Sequence, residues 1–347
     1  MQMQQFQKAH LILLLLVTAC NLTGLPAHWK SVTAVAETHP VKRAGDAADD
    51  SAIWRNELNP SASLIVATDK RTGLYVYDLS GNELYYLMTG KPNNVDLREL
   101  VTTANGNDIL VAVSDREKNA VVFFRLDPNT AQLQWLESDL RSELGEIYGL
   151  CMYQPGPYIV EIFALGRSGR IERYQAWIKE NGSVYMGRLH SFAVPSQAEG
   201  CVADDNTGTL FIAEESTGIW RFDLADEQPK GKLVATTASG ELVADVEGLA
   251  LGEHGGIRYL LAASQGNDSF VIYERDAERL IYLGTFQIMA GDSIDGVSET
   301  DGIELVSAPM GERFPNGLLV VQDGDNAPAN QNFKLISWRD ITEAYGL

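Results

Sequence analysis

The chain is poor in the residues on which much metal and nucleophile chemistry rests: its 347 residues include three cysteines and five histidines. Cys20 ends an N-terminal apolar run, and Cys151 and Cys201 sit in the apolar contexts "GLCMY" and "GCVA". Two cysteines make no disulfide framework, and these two read as small buried residues rather than a redox or metal pair. His10, His28, His39, His190 and His254 are scattered, with none at metal-ligand spacing from another, which argues against a zinc centre or a histidine-based active site. Positive charge is scarce too. With 27 basic against 47 acidic residues the net charge is −20, which repels nucleic acid and anionic membrane and favours cations. The apolar run at 11–17 is too short to span a bilayer, and helical periodicity is almost absent from the chain.

That short run follows Lys8 in "MQMQQFQKAHLILLLLVTAC" and reads as an export signal covering residues 1–20. Its end, "VTAC", resembles a bacterial lipobox, which implies that Cys20 is lipidated and becomes the first mature residue; an ordinary signal peptide is the alternative. The expected location is therefore the bacterial envelope through a lipid anchor, or else the periplasm or exterior. Residues 21–45, mostly polar or small and containing Pro26 and Pro40, read as a tether and a closing strand ahead of one large domain over 46–347.

What is present is a repeat. An apolar-alternating segment recurs as "LYVYDLS", "VVFFRLD", "IERYQAW", "IWRFDLA", "FVIYERD" and "FKLISWR". Its fourth residue falls at Tyr77, Phe124, Tyr174, Phe222, Tyr273 and Ile336, a period of about fifty residues. Before each comes a more continuous apolar run, "LIVATDK", "ILVAVSDR", "YIVEIFALGR", "LFIAEES", "YLLAASQGN" and "LLVVQDGDN", as expected of buried strands. Earlier still in each unit lies a short segment opened by polar or acidic residues: "DAADDSAIW", "NNVDLREL", "EIYGLCM", "AEGCVA", "DVEGLAL" and "TDGIELV". With a fourth strand after the alternating one, such as "ELYYLM", each unit has four short strands. Six such units predict an all-β, six-bladed β-propeller of four-stranded antiparallel blades. The sixth unit lacks its fourth strand, and "SVTAVAE" (31–37) is expected to fill that place and close the ring.

In a propeller the start of each first strand and the end of each second strand lie on one face. The starts carry Asp46, Asp49 and Asp50, then Asp96, Glu146, Glu199, Asp245 with Glu247, and Asp295 with Asp301. The ends carry Lys70, Arg116 and Arg167, then Glu214 with Glu215, Gln265 with Asn267, and Asp323 with Asp325. The stretch "DSIDGVSETDGIE" (292–304) alone holds five carboxylates without a Lys or Arg. A mouth sorted by sign follows, basic from units one to three and acidic from four to six. Crowded carboxylates must raise their pKa values or hold cations. Oxygen ligands with no histidine or cysteine beside them select Ca²⁺ or Mg²⁺, and a wide bowl suits several Ca²⁺ ions. Calcium beside Lys and Arg calls for a bridging anion, so the expected partner is a polyphosphorylated small molecule. Asp204 and Asp205 read as a turn. Tyr77, Phe124, Tyr174, Phe222, Tyr273 and Trp54 read as packing residues.

These segments resemble the bacterial β-propeller (alkaline) phytases. "DAADDSAIW" and "NNVDLRE" match two long motifs of that family, and "AEGCVADD", "LFIAEES", "DVEGLAL", "LLAASQGN", "TDGIEL" and "ANQNFKLISW" follow in family order over 44–347. The resemblance implies a calcium-dependent 3-phytase-type phosphomonoesterase acting on phytate, with a metal-activated water attacking phosphorus and no protein nucleophile. It implies that Tyr148, Glu199, Glu215, Asp245, Glu247, Asp295 and Asp301 hold the catalytic calcium ions, and that Lys70, Arg116 and Arg167 bind substrate phosphates. By the same resemblance Asp46, Asp49 and Asp50 belong to a mainly structural metal site. Ser51, Glu99 and Arg167 depart from the family pattern. Neither RHGxRxP nor Cys-x5-Arg is present. A propeller lactonase or phosphodiesterase, or a calcium-stabilised surface-binding propeller, is the alternative, and the enzyme is expected to be a monomer.

Overall fold

The computed structural model describes residues 29–102, 106–138 and 141–347; the export signal with Cys20, and residues 21–28 of the tether, lie outside them. Six separate sheets form the described residues, each built on four antiparallel strands and one of them extended to five. The innermost strands are Ala48–Trp54, Pro92–Thr102, Ile147–Gly156, Ala198–Asp204, Val246–His254 and Ile303–Val306. The second strands are Leu64–Asp69, Gly106–Asp115, Ile159–Gly166, Thr209–Glu214, Ile257–Ser264 and Leu318–Asp323. The fold is the six-bladed propeller that the period predicts.

The second strands read as continuous apolar runs because both of their faces are covered by neighbouring blades; Leu64–Asp69 is buried at all six positions. The third-strand residues Tyr77, Phe124, Tyr174, Phe222, Tyr273 and Ile336 are at most 1% exposed. They belong to hydrophobic clusters shared between adjacent blades: Phe124, for example, packs with Val66 and Val76 of blade one and Val111 of blade two. Burial of each such side chain contributes about 1.5–3 kcal/mol. Trp54 is buried as expected, and its indole N–H donates to Glu99 at 2.6 Å.

Ring closure differs in detail from the expectation. Only Ala36–Glu37 completes blade six, pairing antiparallel with Leu335 and Lys334. Ahead of it, Trp29–Thr33 pairs in parallel with Thr285–Met289 and adds a fifth strand to blade five. The ten-residue outer strand Leu280–Met289 would otherwise present an open edge, and the segment bends at Val35 to cover that edge before closing the ring. The helix Trp338–Tyr345 was not foreseen. Trp338 and Ile341, both 0% exposed, pack against Val32, Tyr259 and Phe286, sealing the same junction.

Cys151 and Cys201 are joined in a disulfide, contrary to the reading of two free buried thiols; their Cα atoms are 5.7 Å apart. They stand on the neighbouring inner strands of blades three and four, offset by one position: Cys201 directly follows its strand's irregularity between Ala198 and Cys201, and Cys151 lies one residue beyond the matching point at Leu150.

Candidate active site

The mouth of the propeller is built from a recurring backbone irregularity. In blade one, Ala48 pairs with Asp69 and Ser51 with Ala67, so three steps on the inner strand face two on its partner. The same one-residue bulge occurs between Pro92 and Val95, Ile147 and Leu150, Ala198 and Cys201, and Val246 and Leu249. A bulge bends the strand and re-aims its side chains. The bulged pairs are Asp49-Asp50, Asn93-Asn94, Tyr148-Gly149, Glu199-Gly200 and Glu247-Gly248, among them four of the acids singled out by charge. The glycines are required for close approach. A Cβ on Gly200 would stand 2.1 Å from the Glu247 carbonyl oxygen, and one on Gly149 would stand 2.0 Å from that of Glu199. Adjacent inner strands therefore touch backbone to backbone, and Tyr148, Glu199, Glu247 and Asp301 line up around the mouth, each followed by glycine.

The acidic side is compact. Glu199, Glu215 and Glu247 each bring a carboxylate oxygen within 4.8 Å of the others. Glu199 and Glu247 are about 5% exposed, and Glu247 Oε2 is buried without a hydrogen-bond partner, as is Asp49 Oδ2. Burial, then the charge of Asp301, pushes Glu199 up to about 8. Burial, then Glu199, raises Glu247 well above the carboxylate range. Burial likewise raises Glu215, whose Oε1 accepts from Gln197 Nε2 at 2.8 Å and which also feels Asp245. Asp301, pushed up to about 7 by burial and then by Asp49, accepts from Gln265 Nε2 at 2.7 Å. Buried oxygens of like charge, one of them on Glu247 without a donor, are the donor set of a hard metal cation, and the cluster fits one.

Opposite stands a cationic wall. Tyr148 donates its hydroxyl to Glu199 and presents its ring to two guanidiniums, with the Arg167 and Arg116 carbons 4.5 and 5.5 Å from the ring centre. Burial, then Glu199, raises the phenol well above its ordinary range, so it stays a neutral donor. Glu146 lies between the two arginines, at 3.6 Å from Arg116 and 3.5 Å from Arg167. Arg167 remains 42% exposed at its side chain, free to turn toward a ligand.

Comparison with known proteins gives this geometry a family. The sequence profile described as Phytase matches residues 6–347, and a 3-phytase of Bacillus subtilis (strain 168) is 38% identical over 352 aligned positions, 95% of this chain and 91% of that one. The chain belongs to the Phytase family. Its activity is that of a phytase. The fold recurs far beyond the family: a chain from the crystal structure of a mitotic checkpoint complex superposes with a TM-score of 0.51 at 11% identity, covering 95% of this chain and 99% of that one.

Within this phytase the structure gathers most of the sequence-predicted residues but not the sorting by sign. Lys70, expected on the basic half, makes ion pairs with Asp46, Asp49 and Asp301 at 2.6, 2.9 and 2.8 Å. Burial opposes its charge, but Asp49 and Asp301 hold the ammonium well above its ordinary range. Asp50 turns down the channel and accepts from the Val95 N–H at 3.0 Å. Asp96, expected at the mouth, also lies in the channel, where it accepts from Arg98 at 2.6 Å and from the Met152 N–H at 2.7 Å. Asp295 stands apart, paired with Lys334. That lysine is fully buried and also holds Glu37 at 2.6 Å and Asp323 at 3.2 Å; a buried ammonium must be paired, and Asp295 is one of its partners. Asp204 is the last residue of its strand and opens the turn that starts at Asp205; its carboxylate accepts from Arg275 at 2.9 Å. Sequence reasoning missed Lys334, hidden in an apolar-alternating strand, and Gln197 and Asn93, whose neutral amides carry no charge signal.

Proposed function

We propose that this phytase hydrolyses phosphomonoesters of myo-inositol hexakisphosphate with calcium ions held in the acidic side of its mouth. The observation that carries the reading is the triad Glu199, Glu215 and Glu247, with a partnerless buried oxygen on Glu247, facing Arg116 and Arg167. Glu199, Glu215 and Glu247, with Tyr148, Asp245 and Asp301 around them, would hold the ions, and Asp46, Asp49 and Asp50 would supply a further site. Bound there, calcium would polarise phosphoryl oxygens and acidify a water. Oxygen-only donors and a wide mouth favour calcium over magnesium.

The chain's own groups do the rest. Arg116 and Arg167 present planar donors that match a phosphate bidentately, and Tyr148 sets the spacing of the two guanidiniums while donating to Glu199. Lys70 offsets the charge of Asp301 and Asp49, keeping the acidic side from repelling the substrate entirely. The phenol of Tyr148, held neutral, is a poor nucleophile, and no thiol or imidazole stands among these mouth residues, so water is the attacking group.

The disulfide supports export, since such bonds persist in oxidising compartments. We extend the reading to an exported protein whose Cys20 carries the lipid.

Phosphate release from phytate with added calcium, and after chelation, tests the reading. Release that needs calcium is expected; equal release in excess chelator would overturn it.

A further inference from the structure

The second of the two long motifs, "NNVDLRE", contains two asparagines to which the proposed function assigns nothing. Asn93 is 0% exposed and sits in the bulge at the mouth end of blade two. Its Oδ1 accepts from Arg116 Nη1 at 3.0 Å. Its Nδ2 donates to Glu199 Oε1, and to Asn94 Oδ1 at 3.0 Å. Because a guanidinium only donates and a carboxylate oxygen accepts, the partners fix which end of the carboxamide faces which side. Asn94 continues the network: its N–H donates to Ser114 Oγ at 2.9 Å, and that hydroxyl donates to the Tyr148 carbonyl at 2.6 Å. One asparagine pair from blade two thereby joins the cationic wall, the Tyr148 strand of blade three and the Glu199 strand of blade four.

We propose that Asn93 is a positioning residue that ties the phosphate-gripping guanidinium of Arg116 to Glu199 of the carboxylate cluster, so that binding of a substrate phosphate and binding of a divalent cation are coupled through one carboxamide. The inference rests on the calcium-phytase reading. Few other side chains of this size serve. An aspartate in its place keeps the acceptor for Arg116 but sets a second carboxylate against Glu199; an alanine removes both bonds, leaving Arg116 to Glu146 and the buried Glu199 without its amide donor. Coupling of this kind is reciprocal, so a polyanion at Arg116 tightens cation binding by the factor by which the cation tightens the polyanion.

The test uses the full-length protein, with calcium titrated by calorimetry in the absence and presence of a non-hydrolysable inositol polysulfate, alongside steady-state kinetics on phytate. In the parent protein the polysulfate is expected to lower the calcium midpoint. Asn93→Ala is expected to raise KM for phytate and the calcium midpoint by about tenfold each, the scale of losing a partner that orients a metal ligand, and to shrink the polysulfate's effect to what direct contact between the ion and the polyanion supplies. Asn93→Asp is expected to hold KM near the parent value while moving the calcium midpoint. In an Arg116→Ala background, Asn93→Ala is expected to leave KM unchanged, since it acts through the guanidinium. A lowered melting temperature with KM and calcium midpoint both within twofold of the parent would mean that Asn93 only supports the fold, and the proposal would fall. If Asn93→Ala does not fold, Asn93→Asp decides alone: KM and calcium midpoint moving together, or neither moving, overturns the proposal. A parent that releases no phosphate from phytate would sink the calcium-phytase reading instead, and the calorimetry separates that failure from one of Asn93.

Discussion

Glu247 shows how a single side chain records the purpose of the mouth. It is 5% exposed, has one oxygen without a donor, and faces two further glutamates. In a protein without cations such a group costs stability; with a cation it becomes a ligand. Glu247→Gln is therefore expected to raise the melting temperature in chelator, by removing like-charge repulsion, yet to raise the calcium concentration needed for activity by about tenfold or more. Thermal melts in EDTA and a calcium titration of phosphate release check both halves. A variant that melts lower in EDTA and titrates like the parent would show that Glu247 is a structural hydrogen-bond partner instead. The residue's role was legible in "DVEGLAL" through its charge at the head of a first strand. Its orphan oxygen was not, because that depends on what other strands bring to it.

At the level of strands, the seam between blades three and four is fastened in three ways. Gly149 lets the backbones touch, the Tyr148 hydroxyl bonds to Glu199, and the disulfide joins the same two inner strands, three residues beyond Tyr148 and two beyond Glu199. Joining Cys151 to Cys201 closes a loop of about one blade, for which a contribution of about 2–4 kcal/mol is typical. Cys151→Ser with Cys201→Ser is expected to lower the melting temperature by several degrees, and thiol reductant to do the same to the parent. Melting curves that overlay with and without reductant would show that the bridge contributes nothing. Gly200→Ala belongs to this scale too. Its Cβ would meet the Glu247 carbonyl at 2.1 Å, and the expected result is loss of calcium affinity together with stability, as the strands carrying Glu199 and Glu247 are pushed apart. Unchanged affinity in a folded variant would argue that the spacing of the inner strands is not critical.

For the whole molecule, the ring turns many weak acids into one titrating unit. Asp49, Asp301 and Glu199 are pushed up to about 7, about 7 and about 8 by burial and by one another, far above the range of an unfolded chain. A carboxyl whose folded pKa is raised stabilises the fold below its unfolded pKa, and that stability is lost as pH rises through the folded value. Without cations the melting temperature is accordingly expected to fall from pH 5 to pH 8. With calcium, deprotonation instead completes the ligand set, so the gain in melting temperature on adding calcium should widen over the same interval. Differential scanning calorimetry in EDTA and in calcium checks this. A calcium gain that shrinks toward pH 8 would contradict the assignment of these acids as ligands.

The repeat, the strand types and the chemistry of the mouth were determined by the sequence alone, because each is local to one unit. Period-two alternation, continuous apolar runs and polar residues at the head of each first strand recur every fifty residues whatever the blades do to one another. The 50-residue separation of Cys151 and Cys201 was equally visible, but one spacing does not show that two thiols face each other. Only the closed ring decided which charges meet. Lys70 and Asp301 are 231 residues apart in the chain and 2.8 Å apart in the mouth, so the ammonium expected to hold phosphate stands among carboxylates. Lys334 takes Asp295 away from the Glu199, Glu215 and Glu247 cluster for the same reason. Asn93 is the clearest case: a neutral side chain carries no charge signal, and its value lies in standing between an arginine of its own blade and a glutamate two blades on, a coincidence that exists only after the blades have packed.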